Sequence, residues 1–138
     1  MSEVIVEQKE DGLMEARAGE HVVLMDLPRA WGGDERAMRP PTLFVASLGG
    51  CVAAFVKNYC TNAGIDTTGM KVTVSYGKKE SPNKGGYMLT DIKATIAMPP
   101  GVELGKRERA VLRTAESCVL HKTLENFEGI RTELADSE

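Results

Sequence analysis

PPTLFVASLGGCVAAFVKNYCTNAG, residues 40–64, decides how the rest of the chain is read. Pro40 and Pro41 suit a helix start, where the first amide hydrogens would lack partners anyway. Gly64 follows the last periodic residue and fits the left-handed position just past a helix end. Between them, the fourteen residues from Leu43 to Val56 carry no charge. A surface helix keeps one polar face, so this one is expected to be buried on most sides. The uncharged run is too short to cross a bilayer, and Lys57 and Asn58 end it. Ala46, Gly50 and Ala53 recur at helical spacing, and Gly49 widens that flat face. A glycine inside a helix costs roughly 1 kcal/mol relative to alanine. Close approach of another backbone, from a sheet or from a second copy of the helix, would offset that cost.

A chain of 138 residues is expected to form one domain with a real core. Its formal charge of −3, a pI near 5.5 and the lack of a long basic run argue against nucleic-acid binding. The opening MSEVIVEQKE lacks the basic-then-apolar form of a signal peptide, so the cytoplasm is the expected location. Three cysteines do not make a paired, secreted disulfide framework. In a reducing compartment they are structural, catalytic or metal-binding.

Taken in order, residues 3–9 alternate through Val4 and Val6, and Asp11-Gly12 is a strong hairpin signal. Residues 13–17 form the return strand, and a second turn near Ala18-Gly19 leads to HVVLM, read as a buried strand. Residues 27–39 are a loop rich in proline, glycine and charge, with Trp31 expected to pack it onto the body. After the long helix, residues 70–76 and 87–98 make a second hairpin around GKKESPNKGG. Helical spacing then runs from about Leu104 to Asn126, with Val111, Leu112, Ala115, Cys118 and Val119 on the apolar side. Gly129 opens a short final strand over 130–134. The order βββ–α–ββ–α–β, with strands and helices segregated, is α+β.

Cys51 and Cys60 stand nine residues apart on one helix. That spacing puts them on opposite faces and about 13 Å apart along the axis, whereas a disulfide needs Cα atoms within about 7 Å. Cys118, on another element, is free to approach either of them. The residues alone leave Cys51 or Cys60 open as its partner. Cys118 and His121 also have C-x-x-H spacing, so a metal site shared with Cys51 is a further reading, although a structural zinc usually takes four ligands.

PPTLFVASLGGC resembles the central-helix motif of the OsmC/Ohr superfamily, and CVLHKTL, from Cys118, resembles its second cysteine motif. HVVLMDLP followed by WGGD is similar to the strand and loop before that helix, most closely in the YhfA-like branch. The resemblance implies an OsmC-like fold, an intertwined homodimer with the central helices buried, and active sites at the subunit interface. It implies a peroxidase acting on organic hydroperoxides or hydrogen peroxide, with no cofactor or metal. Cys51 would be the peroxidatic residue and Cys118 the resolving one, closing a Cys51–Cys118 disulfide. A dithiol such as lipoamide, or a thioredoxin-like protein, would then reduce it. Cys60 matches neither motif and is read as a packing thiol.

Only a thiolate attacks peroxide, and a free cysteine titrates at about 8.5. Cys51 begins the third helical turn, beyond the reach of the helix dipole. Family members use an arginine from the N-terminal β region, aligned by a glutamate early in the central helix. Arg17 best matches that arginine, with Arg29, Arg36 and Arg39 as alternatives. The glutamate is absent: Pro41 stands ten residues before Cys51, and Glu15 or Glu35 would have to substitute. Val119 also stands where many members have proline. These departures keep a second reading in play, a redox-inactive dimer binding an apolar small molecule between its subunits.

Overall fold

The computed structural model describes residues 2–83 and 85–136. The chain divides into two compact units, residues 1–49 and 50–138, and the division falls inside the long helix.

The first unit holds a three-stranded antiparallel meander, β1 (Ile5–Gln8), β2 (Met14–Ala18) and β3 (His21–Met25), in the expected order. Ile5 pairs with Arg17, and Arg17 in turn with Val22. The first turn closes with the Lys9 amide donating to Leu13 O and the Gly12 amide to Lys9 O. The meander was expected to bury HVVLM, but in the single chain Val22 and Leu24 are each 43% exposed. Trp31 is likewise 78% exposed rather than an anchor for its loop. Another group holds that loop. Asp26, fully buried at the end of β3, accepts from the amides of Leu27, Asp34 and Arg36 and from Arg36 Nε at 2.9 Å. Gly33 follows from the same fold: a Cβ there would sit 2.0 Å from Leu27 O, which no side chain tolerates.

The Arg36 guanidinium and these amides hold the Asp26 carboxyl far below the usual carboxylate range. A depressed carboxyl stabilises the fold above its unfolded value, and that contribution disappears as pH falls towards the folded one. Asp26→Asn places an NH2 group among donors and should lower Tm by roughly 5–10 °C at neutral pH. The gap to wild type should narrow as pH drops below about 4. Thermal melts at pH 7 and pH 3 check this, and an equal gap at both would contradict it.

The helix α1 spans Pro40–Asn62. Its end is a Schellman motif, with Gly64 at φ +76°, the Ile65 amide on Cys60 O and the Gly64 amide on Thr61 O. Val45, Leu48, Val52, Val56 and Cys60 form its buried stripe at spacings of three and four. The rest is not covered as the sequence led us to expect. Gly50, Ala46 and Ala54 are exposed, and Phe44 is 47% exposed. By length and composition alone, this 23-residue helix would pass for a membrane span. Lys57 and Asn58 interrupt it, and the buried stripe is that of a core helix.

In the second unit, β4 (Lys71–Glu80) and β5 (Tyr87–Ala97) form the expected hairpin, with Val72 opposite Ile96 and Val74 opposite Ala94. Pairing continues through Gly77–Glu80, past an irregularity between Ser75 and Gly77, so the turn is shorter than GKKESPNKGG. Lys84, within that turn, lies outside the described residues. The single helix expected over 104–126 is two, α2 (Glu108–Glu116) and α3 (Val119–Glu125). Thr114 and Ser117 donate their hydroxyls to Ala110 O and Arg113 O, a back-bonding that bends helices, and Cys118 then turns extended. Val111, Ala115 and Cys118 are buried as the spacing implied, but Leu112 and Val119 are exposed. The expected final strand does not form: residues 127–136 pair with no strand among the described residues, and Leu134 is 97% exposed. A strand needs a neighbour for its amides and carbonyls, and none is offered among the described residues. The class remains α+β, with antiparallel sheets and three α-helices.

Candidate active site

Cys51 follows the two glycines of α1 and is half-buried, which makes it the most accessible of three free thiols. Cys60, two and a half turns on, is fully buried. With the helix intact between them, these two thiols stay on different faces. Burial pushes the Cys60 thiol up, and the nearby Arg107 guanidinium offsets this in part. Arg107 is itself tethered, donating to Tyr59 Oη at 3.2 Å and lying over that ring. Arg107 is thus a cation near the buried Cys60 thiol.

Cys118 is fully buried and caps α3, its φ of −65° and ψ of 152° marking the break between the two short helices. Its Sγ accepts the His121 amide at 3.4 Å. Burial pushes the Cys118 thiol up, and the amides of His121 and Leu120 pull against that. The Cys51 thiol lies beside it and pushes it up further. The fold therefore brings together the two cysteines singled out in the sequence, one half-buried and one enclosed. Neither is in a disulfide.

Each candidate arginine has an acidic partner. Arg17 on β2 donates to Glu15 Oε1 at 2.8 Å, two residues back on the same face of the strand. Arg39 bonds Glu35 at 2.6 Å, and Arg29 approaches the other oxygen of Glu35 at 3.5 Å. Arg36 is committed to Asp26, with Asp11 3.3 Å from its other side, and is structural. Glu15 thus pairs with Arg17 inside β2, with no carboxylate from α1 involved.

A protein-family profile matches residues 32–133, and its description is OsmC-like protein. The chain belongs to the OsmC-like protein family. Solved structures agree on the fold. An OsmC-like protein from Mycoplasma pneumoniae superposes with a TM-score of 0.74 at 16% identity, covering 92% of this chain and 89% of that one. The organic hydroperoxide resistance protein OsmC from Legionella pneumophila gives 0.65 at 19% identity, covering 90% and 88%. The organic hydroperoxide resistance protein OhrB of Bacillus subtilis gives 0.63 at 15%, covering 92% of each. Nothing matches among curated proteins. At these identities the likeness establishes the OsmC-like architecture of the chain.

Two side-chain groupings of this OsmC-like chain escaped the sequence reading. Asp26 ends an apolar strand just before Leu27-Pro28, where a buried carboxylate is not the natural expectation. The other is the pair His121–Glu125, with Nδ1 2.6 Å from Oε1. Its H-x-x-x-E spacing was legible, since residues four apart share a helix face. Among the described residues, no three side chains of the His, Cys, Asp and Glu types converge as a metal site would require.

Proposed function

We propose that this OsmC-like protein is a thiol-dependent peroxidase that reduces organic hydroperoxides or hydrogen peroxide through Cys51. What supports the reading is the Cys51–Cys118 pair: an accessible thiol beside an enclosed one, both free, the enclosed one at the break between α2 and α3. The Cys51 thiolate attacks the outer peroxide oxygen, the O–O bond breaks, and the alcohol or water leaves with a proton. Cys51 is left as sulfenic acid. Cys118 then attacks that sulfur, water departs, and the disulfide closes. A dithiol such as lipoamide, or a thioredoxin-like protein, restores both thiols. Arg17, aligned by Glu15, stabilises the attacking thiolate. The working unit is a homodimer of single-domain chains in the cytoplasm. In that dimer a second copy covers the exposed side of α1 and gives residues 130–134 a strand to pair with.

One observation favours a second reading. With Pro41 in place of the acid, and Trp31 and Met38 exposed in the loop before α1, the scaffold could instead bind an apolar small molecule. Mild oxidation separates the two. One equivalent of cumene hydroperoxide should yield a Cys51–Cys118 disulfide within the chain, while Cys60 alkylates only after denaturation. Peptide mapping reads this directly. Three unreacted thiols would favour the binder, and a Cys51–Cys60 linkage would contradict the intact helix.

A further inference from the structure

Closing the disulfide asks a buried thiol to act as a nucleophile. Burial and the adjacent Cys51 side chain both favour the protonated form of Cys118, and only the first amides of α3 oppose them. A proton acceptor within reach of the helix break would remove the obstacle, and the first turn of α3 carries a histidine. His121 lies three residues after Cys118, its own amide bonded to the sulfur. Its Nδ1 is turned towards Glu125 Oε1 at 2.6 Å, one turn along the helix. A carboxylate on Nδ1 fixes the proton there and leaves Nε2 as the basic nitrogen. The same carboxylate then stabilises the imidazolium that proton uptake creates.

We propose that His121, oriented by Glu125, is the general base of disulfide closure and accepts the Cys118 proton directly or through one water. The inference rests on the reading of Cys51 and Cys118 as a peroxidatic and resolving pair. In this step a bond forms between the Cys118 and Cys51 sulfurs while the S–O bond of the sulfenic acid breaks. The proton taken by His121 leaves with the hydroxide as water. Cys118 is oxidised and the Cys51 sulfenic acid is reduced to the shared disulfide, so no outside electrons enter. The first oxidation of Cys51 does not use His121.

Closure can be measured without peroxide. In a Cys60→Ala background, one equivalent of dithiobis-nitrobenzoate should react first at half-buried Cys51 and release one thionitrobenzoate. Attack by Cys118 on that mixed disulfide expels the second, and both releases are followed by absorbance. His121→Ala should leave the first release unchanged and slow the second on the order of 10²- to 10⁴-fold. Added imidazole should restore part of the rate, because His121 is partly open to solvent. Glu125→Gln should slow closure less, and should change nothing further once His121 is gone. A second release in His121→Ala within about twofold of wild type would overturn the proposal, since a general base contributes far more. A slowed release without imidazole rescue would overturn it too, leaving His121 a helix residue only. If the wild type never gives a second release, both this inference and the resolving role of Cys118 fall. If closure depends on His121 but hydroperoxides oxidise nothing, only the peroxidase reading falls.

Discussion

Cys51→Ser should consume no hydroperoxide, while Cys118→Ser should consume one equivalent per chain and stop. A serine hydroxyl is neither oxidised by peroxide nor ionised at neutral pH, so the first loss is complete. The second variant keeps the half-buried thiol that meets substrate and loses only the enclosed one that closes the cycle. Its Cys51 should accumulate as sulfenic acid, then over-oxidise to sulfinic acid with excess peroxide. Mass spectrometry after stoichiometric and excess oxidation distinguishes these products. Continued turnover by Cys118→Ser would mean that an outside thiol does the resolving. Arg17→Ala should slow the first oxidation on the order of 100-fold, the usual loss for one preorganised charge, and leave closure unaffected.

The two enclosed thiols set an alkaline limit. Cys118 and Cys60 are both pushed up by burial. Each therefore holds its proton in the folded chain over a pH range where the unfolded chain has released it. Their contribution to stability is full below the free-thiol value and is lost as pH rises through the folded one. Closure has the opposite slope in that window, because the Cys118 thiolate fraction grows as pH rises.

Much of this was legible in the chain because it is local. Asp11-Gly12 fixed the first hairpin, the alternation of Val72 and Val74 fixed the second, and Pro40 with Gly64 bounded α1 to within two residues of its observed end. Periodicity also placed Cys51 and Cys60 on opposite sides of one helix. What it could not show was the break at Cys118. A one-residue interruption leaves the spacing of Val111, Ala115 and Cys118 intact, and the back-bonding of Thr114 and Ser117 has no periodic signature. Burial was misjudged wherever the apolar residues find no cover within one chain. Val22, Leu24, Phe44 and Leu134 carry the composition of a core, yet the single chain leaves them open. Sequence pattern records that a face wants covering and says nothing about whose atoms cover it. The pairing of Arg17 with Glu15 was only one option among several, because nothing in spacing ranks Glu15 above Glu35.

Gly50→Leu is expected to abolish dimerisation, and with it much of the stability. Within one chain a Cβ at Gly50 meets nothing within 4 Å. If the chain worked alone, replacing this glycine should therefore help, since a helix interior gains roughly 1 kcal/mol on going from glycine to alanine. A second copy of α1 against Gly50, which one chain leaves exposed, reverses the sign. Small residues there let two backbones approach closely, and a leucine would overpack the contact by roughly 1–3 kcal/mol. In a two-fold dimer each copy meets the other's substitution, so the strain counts twice. The opposite signs make the measurement decisive. Sedimentation equilibrium at micromolar concentration should give a dimer for wild type and a monomer or aggregate for Gly50→Leu, with a lower Tm. Gly50→Ala, the smaller intrusion, should fall between them. A Gly50→Leu chain that sediments like wild type and melts at or above its Tm would show that this face of α1 meets no partner. The exposed β3 residues and the unpaired 130–134 segment would then need another explanation.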